Sequence, residues 1–263
     1  MVGGPIAEVP RLAVKHFSLD SQWLLRGELR FNAASYSEGA FRALSSIDAA
    51  PFPKMLLGKC AQSIRHPTQD QPRSNFKRIW VKPGQGYPFL TGKQLFSFPP
   101  ERTQFVSPRM PKIRELIIAP GTILLSRSGT TGIPVIVGRT LSKFAMTDDA
   151  IRICPDSVPI GYVYAFLASR FGYVLMTRNE YGATVSHLEA KHISALPVPL
   201  PDDAIQRTIH ENVMKAYALR DTAYDLLDGA EATLYNELGL SPFTDDDIEY
   251  LGGQEQPHAF SIS

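Results

Sequence analysis

The chain has 263 residues, 44% of them hydrophobic and 20% charged, with a formal net charge of +1. That balance is ordinary for a soluble globular protein of one large domain or two small ones. No apolar run reaches the length of about 18 residues that a membrane span needs, the start MVGGPIAEVP lacks the charged and apolar regions of a signal peptide, and Cys60 and Cys154 stand apart without metal spacing. The expectation is therefore a cytoplasmic protein with reduced thiols and no membrane contact.

The small net charge conceals a division. Residues 54–114 carry twelve Lys or Arg against two acids, Asp70 and Glu101, whereas residues 202–263 carry three basic residues against thirteen acids. A surplus of ten cations in one stretch and ten anions in another suits a polyanion at one end and repels it at the other. A solvated basic face is the bland alternative, and the size of the surplus favours nucleic acid.

In chain order, residues 11–36 open with the alternating AVKHFSL and continue as a short helix, and residues 41–57 are apolar enough to join a core. Residues 64–80 (IRHPTQDQPRSNFKRIW) are polar, basic and proline-containing, which predicts a loop or arm; Arg73, Lys77 and Arg78 are candidate phosphate contacts, with simple exposure as the competing reading. Residues 84–95 (GQGYPFLTGKQL) predict a strand entering a polar turn that presents Thr91, Lys93 and Gln94. A phosphate loop is excluded there, because five residues separate Gly86 from Gly92 and Gln94 follows Lys93 where a hydroxyl is needed for magnesium.

Residues 116–125 (LIIAPGTILL) read as two short strands around a Pro-Gly turn, and residues 126–132 (SRSGTTG) break off before another strand at 133–137. Such a hydroxyl-rich, glycine-punctuated loop offers amides and the side chains of Ser128, Thr130 and Thr131 to phosphates, while Arg127 is placed to reach a guanine edge; a plain hairpin explains the same residues. Asp148-Asp149 fits a turn before the strand at 150–153. Residues 161–176 read as one buried helix, followed by a polar loop in which Tyr181, Thr184, Ser186 and His187 are candidate base or phosphate contacts.

Residues 197–201 hold three prolines that stop any helix. Asp202 and Asp203 then offer a cap and first-turn negative charge, and no glycine follows until Gly229, so a helix of about 37 residues, roughly 55 Å, is predicted. Its stripe of Ile209, Val213, Ala216, Ala223, Leu227, Ala230 and Leu234 recurs at heptad spacing, with small alanines that allow close approach of a second helix. Packing on the chain's own core is the alternative; the length of the stripe favours pairing.

No catalytic or metal-binding constellation emerges. His187 and His192 lie about 140° apart on a helix and cannot share a metal as an i, i+4 pair could. Phe98-Pro99-Pro100-Glu101 lacks the polar and aromatic neighbours of an amino-methyltransferase motif, and no GxSxG elbow occurs.

Three blocks carry a resemblance: GYPFLTGKQL at residues 86–95, GTILLSRSGTTG at 121–132, and Gly182, Leu188 and LPVPLP at 196–201 leading to Gln206 and Ile209. Their order resembles one target-recognition half of the specificity subunit of type I restriction-modification enzymes, over residues 12–238. The resemblance implies an α+β fold in which a globular recognition domain with a mixed or antiparallel sheet (1–200) grips half of a bipartite double-stranded DNA site. A long spacer helix (201–240) pairs antiparallel with its counterpart, and a tail (241–263) follows. It implies no catalysis and no cofactor in this chain, S-adenosylmethionine being bound by partner DNA methyltransferase subunits, with a restriction and translocation subunit as a further partner. Family members carry two halves where this chain has one, and PHAFSIS at 257–263 echoes VKHFSLDS at 14–21, so a homodimer or a second, separately encoded half is expected. Two rival classes stay open: a nuclease or hydrolase using His187, Asp148 and Asp149, and an adaptor or inhibitor of a defence complex that binds protein through the helix alone.

Overall fold

The computed structural model describes residues 37–178, 180 and 186–240; the expected helix within 11–36, the contacts of Tyr181 and Thr184, and the tail with its echo fall outside the described residues. The described elements run α1 (Glu38–Ala49), β1 (Lys54–Leu56), β2 (Ala61–Arg65), β3 (Tyr87–Leu90), β4 (Phe105–Val106), α2 (Ile113–Leu116), β5 (Ile123–Ser126), β6 (Pro134–Ile136), β7 (Ala145–Met146), β8 (Ala150–Pro155), α3 (Ile160–Ala168), α4 (Arg170–Thr177), α5 (Ala190–Ser194), β9 (Pro197–Pro199) and α6 (Asp203–Leu238). The fold class is α+β, with mixed and antiparallel sheets and one long C-terminal helix.

Local chemistry sets the helix ends. Ser37 caps α1 by accepting from Ala40 N, and Lys54 Nζ donates to the carbonyls of Asp48 and Ala50 that the helix end leaves open, at 3.0 and 2.6 Å. The three-proline stretch becomes β9, which among the described residues pairs only with β1, so the missing amides of Pro197 and Pro199 cost little.

The main sheet is antiparallel in the order β2-β8-β5-β6, and a three-stranded sheet, β4-β3-β7, lies beside it. Both faces of the main sheet are covered. Ile123, Leu125, Ile151 and Ile153 meet α1, α3, α4 and α5 in one cluster, while Leu124, Val135 and Ala150 meet Leu90, Phe144 and Met146 in another. Strands buried on both faces read as continuous apolar runs, which is why ILL and AIRI carry so little alternation.

Two sequence expectations are corrected. Residues 116–125 form one strand rather than two: α2 ends at Leu116, Ile117 makes a single bridge to Ala145, and Gly121, at φ 85°, turns the chain so that its amide bonds Val137 O at 3.0 Å and opens the β5–β6 ladder. Residues 161–176 form two helices. Ser169 ends α3 and caps α4, its hydroxyl donating to Phe166 O at 2.6 Å and accepting from Gly172 N at 3.2 Å. Gly172 permits the break, since a Cβ there would stand 2.2 Å from Phe166 O.

The long helix is α6, 36 residues with Asp202 as its cap, the carboxylate accepting from Ile205 N at 2.9 Å, and Gly239 in the left-handed conformation at its end. Its first half is docked on the globule. Ile209 and Val213, expected to face a partner helix, pack instead with Met214 and Tyr217 onto the chain's own core, because Gly161 lets α3 approach until Gly161 N donates to His210 Nδ1 at 3.0 Å. Tyr217 meets Tyr164 edge-on at 5.3 Å, and its hydroxyl accepts from Ile136 N of edge strand β6 at 3.0 Å; burial pushes the phenol well above its ordinary pKa.

Further along, Asp221 accepts from the amides of Arg139 and Thr140, Arg139 also pairs with Asp225, Tyr224 stacks on Phe98 at 5.0 Å, and Arg102 forks onto Asp228. Arg102 belongs to the basic stretch, so part of that surplus fastens the acidic helix. Past Asp228 the chain is exposed to Leu238 except for half-buried Tyr235, and of the expected pairing stripe Ala216, Leu227, Ala230 and Leu234 face solvent while Ala223 is half-buried. No helix among the described residues is long and apolar enough to cross a membrane.

Candidate nucleic-acid interface

Three blocks of chain far apart in sequence meet where several strands end. β3 ends at Leu90, whose carbonyl accepts from Thr147 N at 3.0 Å; β5 ends at Ser126, opposite Ala150 at the start of β8; and Arg127 N donates to Asp149 O at 3.1 Å. Gly92 lies against Ser126, where a Cβ would come within 2.9 Å of Oγ, and Ser128 bridges to His187. The rim therefore gathers Thr91, Lys93 and Gln94, residues 126–131, the Asp148-Asp149 turn, and Ser186 and His187. Arg73 and Arg78 join through Asp148, with Lys77 on the same loop, and the turn read before the strand at 150–153 is the hub.

Asp148 is 1% exposed, and its carboxylate takes Arg78 NH2 at 2.8 Å and draws Arg73 Nε to 3.6 Å. Arg78 lies over the Phe89 ring, its guanidinium carbon 4.9 Å from the centroid. On the other side of the turn, Arg127 pairs with Asp149 at 3.3 Å and with Glu189 at 2.7 Å. Arg127, expected to reach outward to a base edge, is thus held between two carboxylates and half-buried. Glu189 also lies 3.8 Å from buried His66, whose pKa is lowered by burial first and by the Arg127 charge second.

The other candidates differ in availability. Lys77, Lys93 and Thr130 are exposed. Gln94 is folded back, its oxygen accepting from Thr91 N and Oγ1 and its amide donating to Glu101 at 2.6 Å. Thr131 is buried and donates to Glu180, so it braces the loop rather than facing solvent. Ser128 Oγ bonds His187 Nδ1 at 2.7 Å, and Ser186 O accepts from Gly129 N at 3.2 Å. Of the three residues of the hydrolase reading, His187 bonds Ser128, Asp148 pairs with Arg78 and Arg73, and Asp149 pairs with Arg127. Among the described residues, no group of three or more His, Cys, Asp or Glu is placed to hold a metal.

Sequence reasoning missed Glu189, which no spacing rule connects to Arg127, 62 positions away. It also passed over Trp80, half exposed and perpendicular to Phe89 with ring centroids 5.5 Å apart. The aromatic at the end of a basic loop was the available signal.

No family model matches the sequence, and no curated protein matches it. Solved structures do. A chain from a structure of complex assembly and conformational transition in the type I restriction-modification (R-M) system is 19% identical, with TM-score 0.46, covering 82% of this chain and 53% of that one. The HsdS subunit from Thermoanaerobacter tengcongensis is 16% identical, with TM-score 0.42, covering 81% and 51%. The type IIG restriction endonuclease BpuSI is 13% identical, with TM-score 0.49, covering 74% and 30%. The chain spans about half the length of the first two.

Proposed function

We propose that this chain is a non-catalytic recognition subunit for double-stranded DNA in a type I restriction-modification system or a related defence complex. The observation that carries the reading is the rim: the basic loop, the Thr91–Lys93 turn and the Ser128–Thr130 loop, distant in sequence, come together at the strand ends around one turn. Lys77, Arg73 and Lys93 supply salt-dependent phosphate contacts, and the hydroxyl loop, which Arg127 positions from between Asp149 and Glu189, supplies base discrimination. The resemblance of the three sequence blocks supports the same reading, and with it one half-site per chain.

In this reading α6 is the spacer. Its docked half fixes its direction, and its free end, with Leu226 70% and Leu234 53% exposed, receives a second copy or a separately encoded half and the methyltransferase subunits that bring S-adenosylmethionine; a nuclease and translocation subunit joins the same assembly. The test is an electrophoretic shift on randomised duplex, with the chain alone and with its methyltransferase, at two salt concentrations. Binding that weakens steeply with salt and enriches one sequence is expected; no binding in either form would sink the DNA reading and leave the helix as a protein-docking device. In that alternative, Leu226→Gln with Leu234→Gln would abolish partner capture while no DNA contact exists to lose.

A further inference from the structure

The loop that carries Arg73 and Lys77 closes a cleft of about 570 Å³ lined by Arg73, Ser74, Phe76, Lys77, Arg78, Trp80 and Asp148. Its volume lies in the range of small-ligand pockets, about 300–1,000 Å³. The wall is preorganised: Val81 N donates to Phe105 O at 3.0 Å and Ser107 N to Ile79 O at 2.8 Å, so Trp80 is clamped against β4 from both sides while half its surface stays open. The floor is Asp148. One carboxylate oxygen, Oδ1, is taken by Arg78, and the other, Oδ2, is buried, has the Arg73 charge 3.6 Å away and among the described residues accepts no hydrogen bond. A buried acceptor that faces a cleft calls for a donor from outside.

We infer that this cleft binds one unpaired nucleotide, its base stacked on Trp80, an exocyclic amino group donating to Asp148 Oδ2, and its phosphate held by Arg73 and Lys77. This rests on the rim being a nucleic-acid surface and narrows what that surface takes. A paired base inside a duplex shows only its edges, whereas a half-open indole in a cationic cleft offers a face, and every unstacked base has one to match. The oxygen that accepts no hydrogen bond also sets a preference. Adenine and cytosine present an amino donor beside a ring nitrogen, while the thymine N–H lies between two carbonyls that a carboxylate repels.

Binding of fluorescein-labelled decamers, measured by anisotropy, tests this. Single strands of adenine should bind at least about tenfold tighter than a decamer of abasic phosphates of equal charge, the gap that base–aromatic stacking supports. Trp80→Ala should remove that gap and Trp80→Phe keep most of it, while Lys77→Ala weakens both strands alike. Adenine should exceed thymine severalfold, and Asp148→Asn should level the two. Equal affinity for abasic and base-bearing strands, or an unchanged gap in Trp80→Ala, would overturn the inference; equal binding of adenine and thymine would overturn the role given to Asp148. A fully paired duplex run alongside separates the readings: a bound duplex with no base-dependent gap refutes the nucleotide cleft alone, and an unbound duplex refutes the duplex reader.

Discussion

Replacing Asp221 with alanine tests how the long helix is tied to the globule. Its two carboxylate oxygens accept from the backbone amides of Arg139 at 2.9 Å and Thr140 at 3.0 Å. Gly138 lies so close that a Cβ there would stand 2.7 Å from Asp221 Oδ2, so the carboxylate is enclosed rather than merely nearby. Thr140 is buried, and water cannot take over its amide; stranding such a donor costs about 1–3 kcal/mol. Arg139 is exposed and its amide rehydrates, adding about 0.5 kcal/mol. The sum is about 1.5–3.5 kcal/mol, and with a urea slope of about 2 kcal/mol per molar the denaturation midpoint should fall by about 0.75–1.75 M. Asp221→Asn keeps one acceptor and should lose about half as much. Equilibrium unfolding followed by circular dichroism measures both. A midpoint within about 0.25 M of the parent for Asp221→Ala, equivalent to about 0.5 kcal/mol, would refute the claim that these two bonds anchor α6.

Three further outcomes are expected. Gly161→Ala should destabilise by at least about 2 kcal/mol in thermal unfolding, because its Cβ would meet the His210 backbone at 2.7 Å, which no side-chain rotation relieves. His66 has its pKa held below the ordinary value of 6.5, chiefly by burial, so the unfolded chain binds the proton first; stability should be complete above pH 6.5 and fall as pH drops below it, and His66→Gln should flatten that slope in urea titrations across pH 5–7. In salt-dependent DNA binding, Lys77→Ala should lower affinity evenly and reduce the salt slope by about 1, whereas Arg127→Lys should blur discrimination among sequences; equal effects on all sequences would contradict the division of roles.

What the sequence disclosed depended on how far a signal reaches along the chain. The helix Asp203–Leu238 was legible because its cap, its breakers and its uninterrupted run are local; so were the strand Tyr87–Leu90 with its polar turn and the turn at Asp148-Asp149. Ser169 was local too, yet its capping of α4 hid inside an apolar run that looked continuous, and the glycine three residues on was the available clue. Contacts between distant segments were not legible. Nothing in residues 126–132 announces that Glu189 and Asp149 will clasp Arg127, and the stripe on α6 looked uniform although Ile209 and Val213 are spent on the globule while Leu227 and Leu234 are not. The charge division needed the same correction, since Arg102 answers Asp228 rather than a phosphate.

The free end of α6 behaves as the threaded part of a screw whose head is locked at Asp221, Tyr224 and Asp228. Adding one residue beyond Asp228 would swing Leu234 by about 100° and push it outward by about 1.5 Å, pointing it away from whatever it grips. Adding four would nearly restore its bearing and lengthen the reach by about 6 Å. Insertions in this short stretch would thus change distance without changing handshake only in whole turns, which makes the last ten residues before Gly239 the natural place to adjust span while leaving the rim untouched.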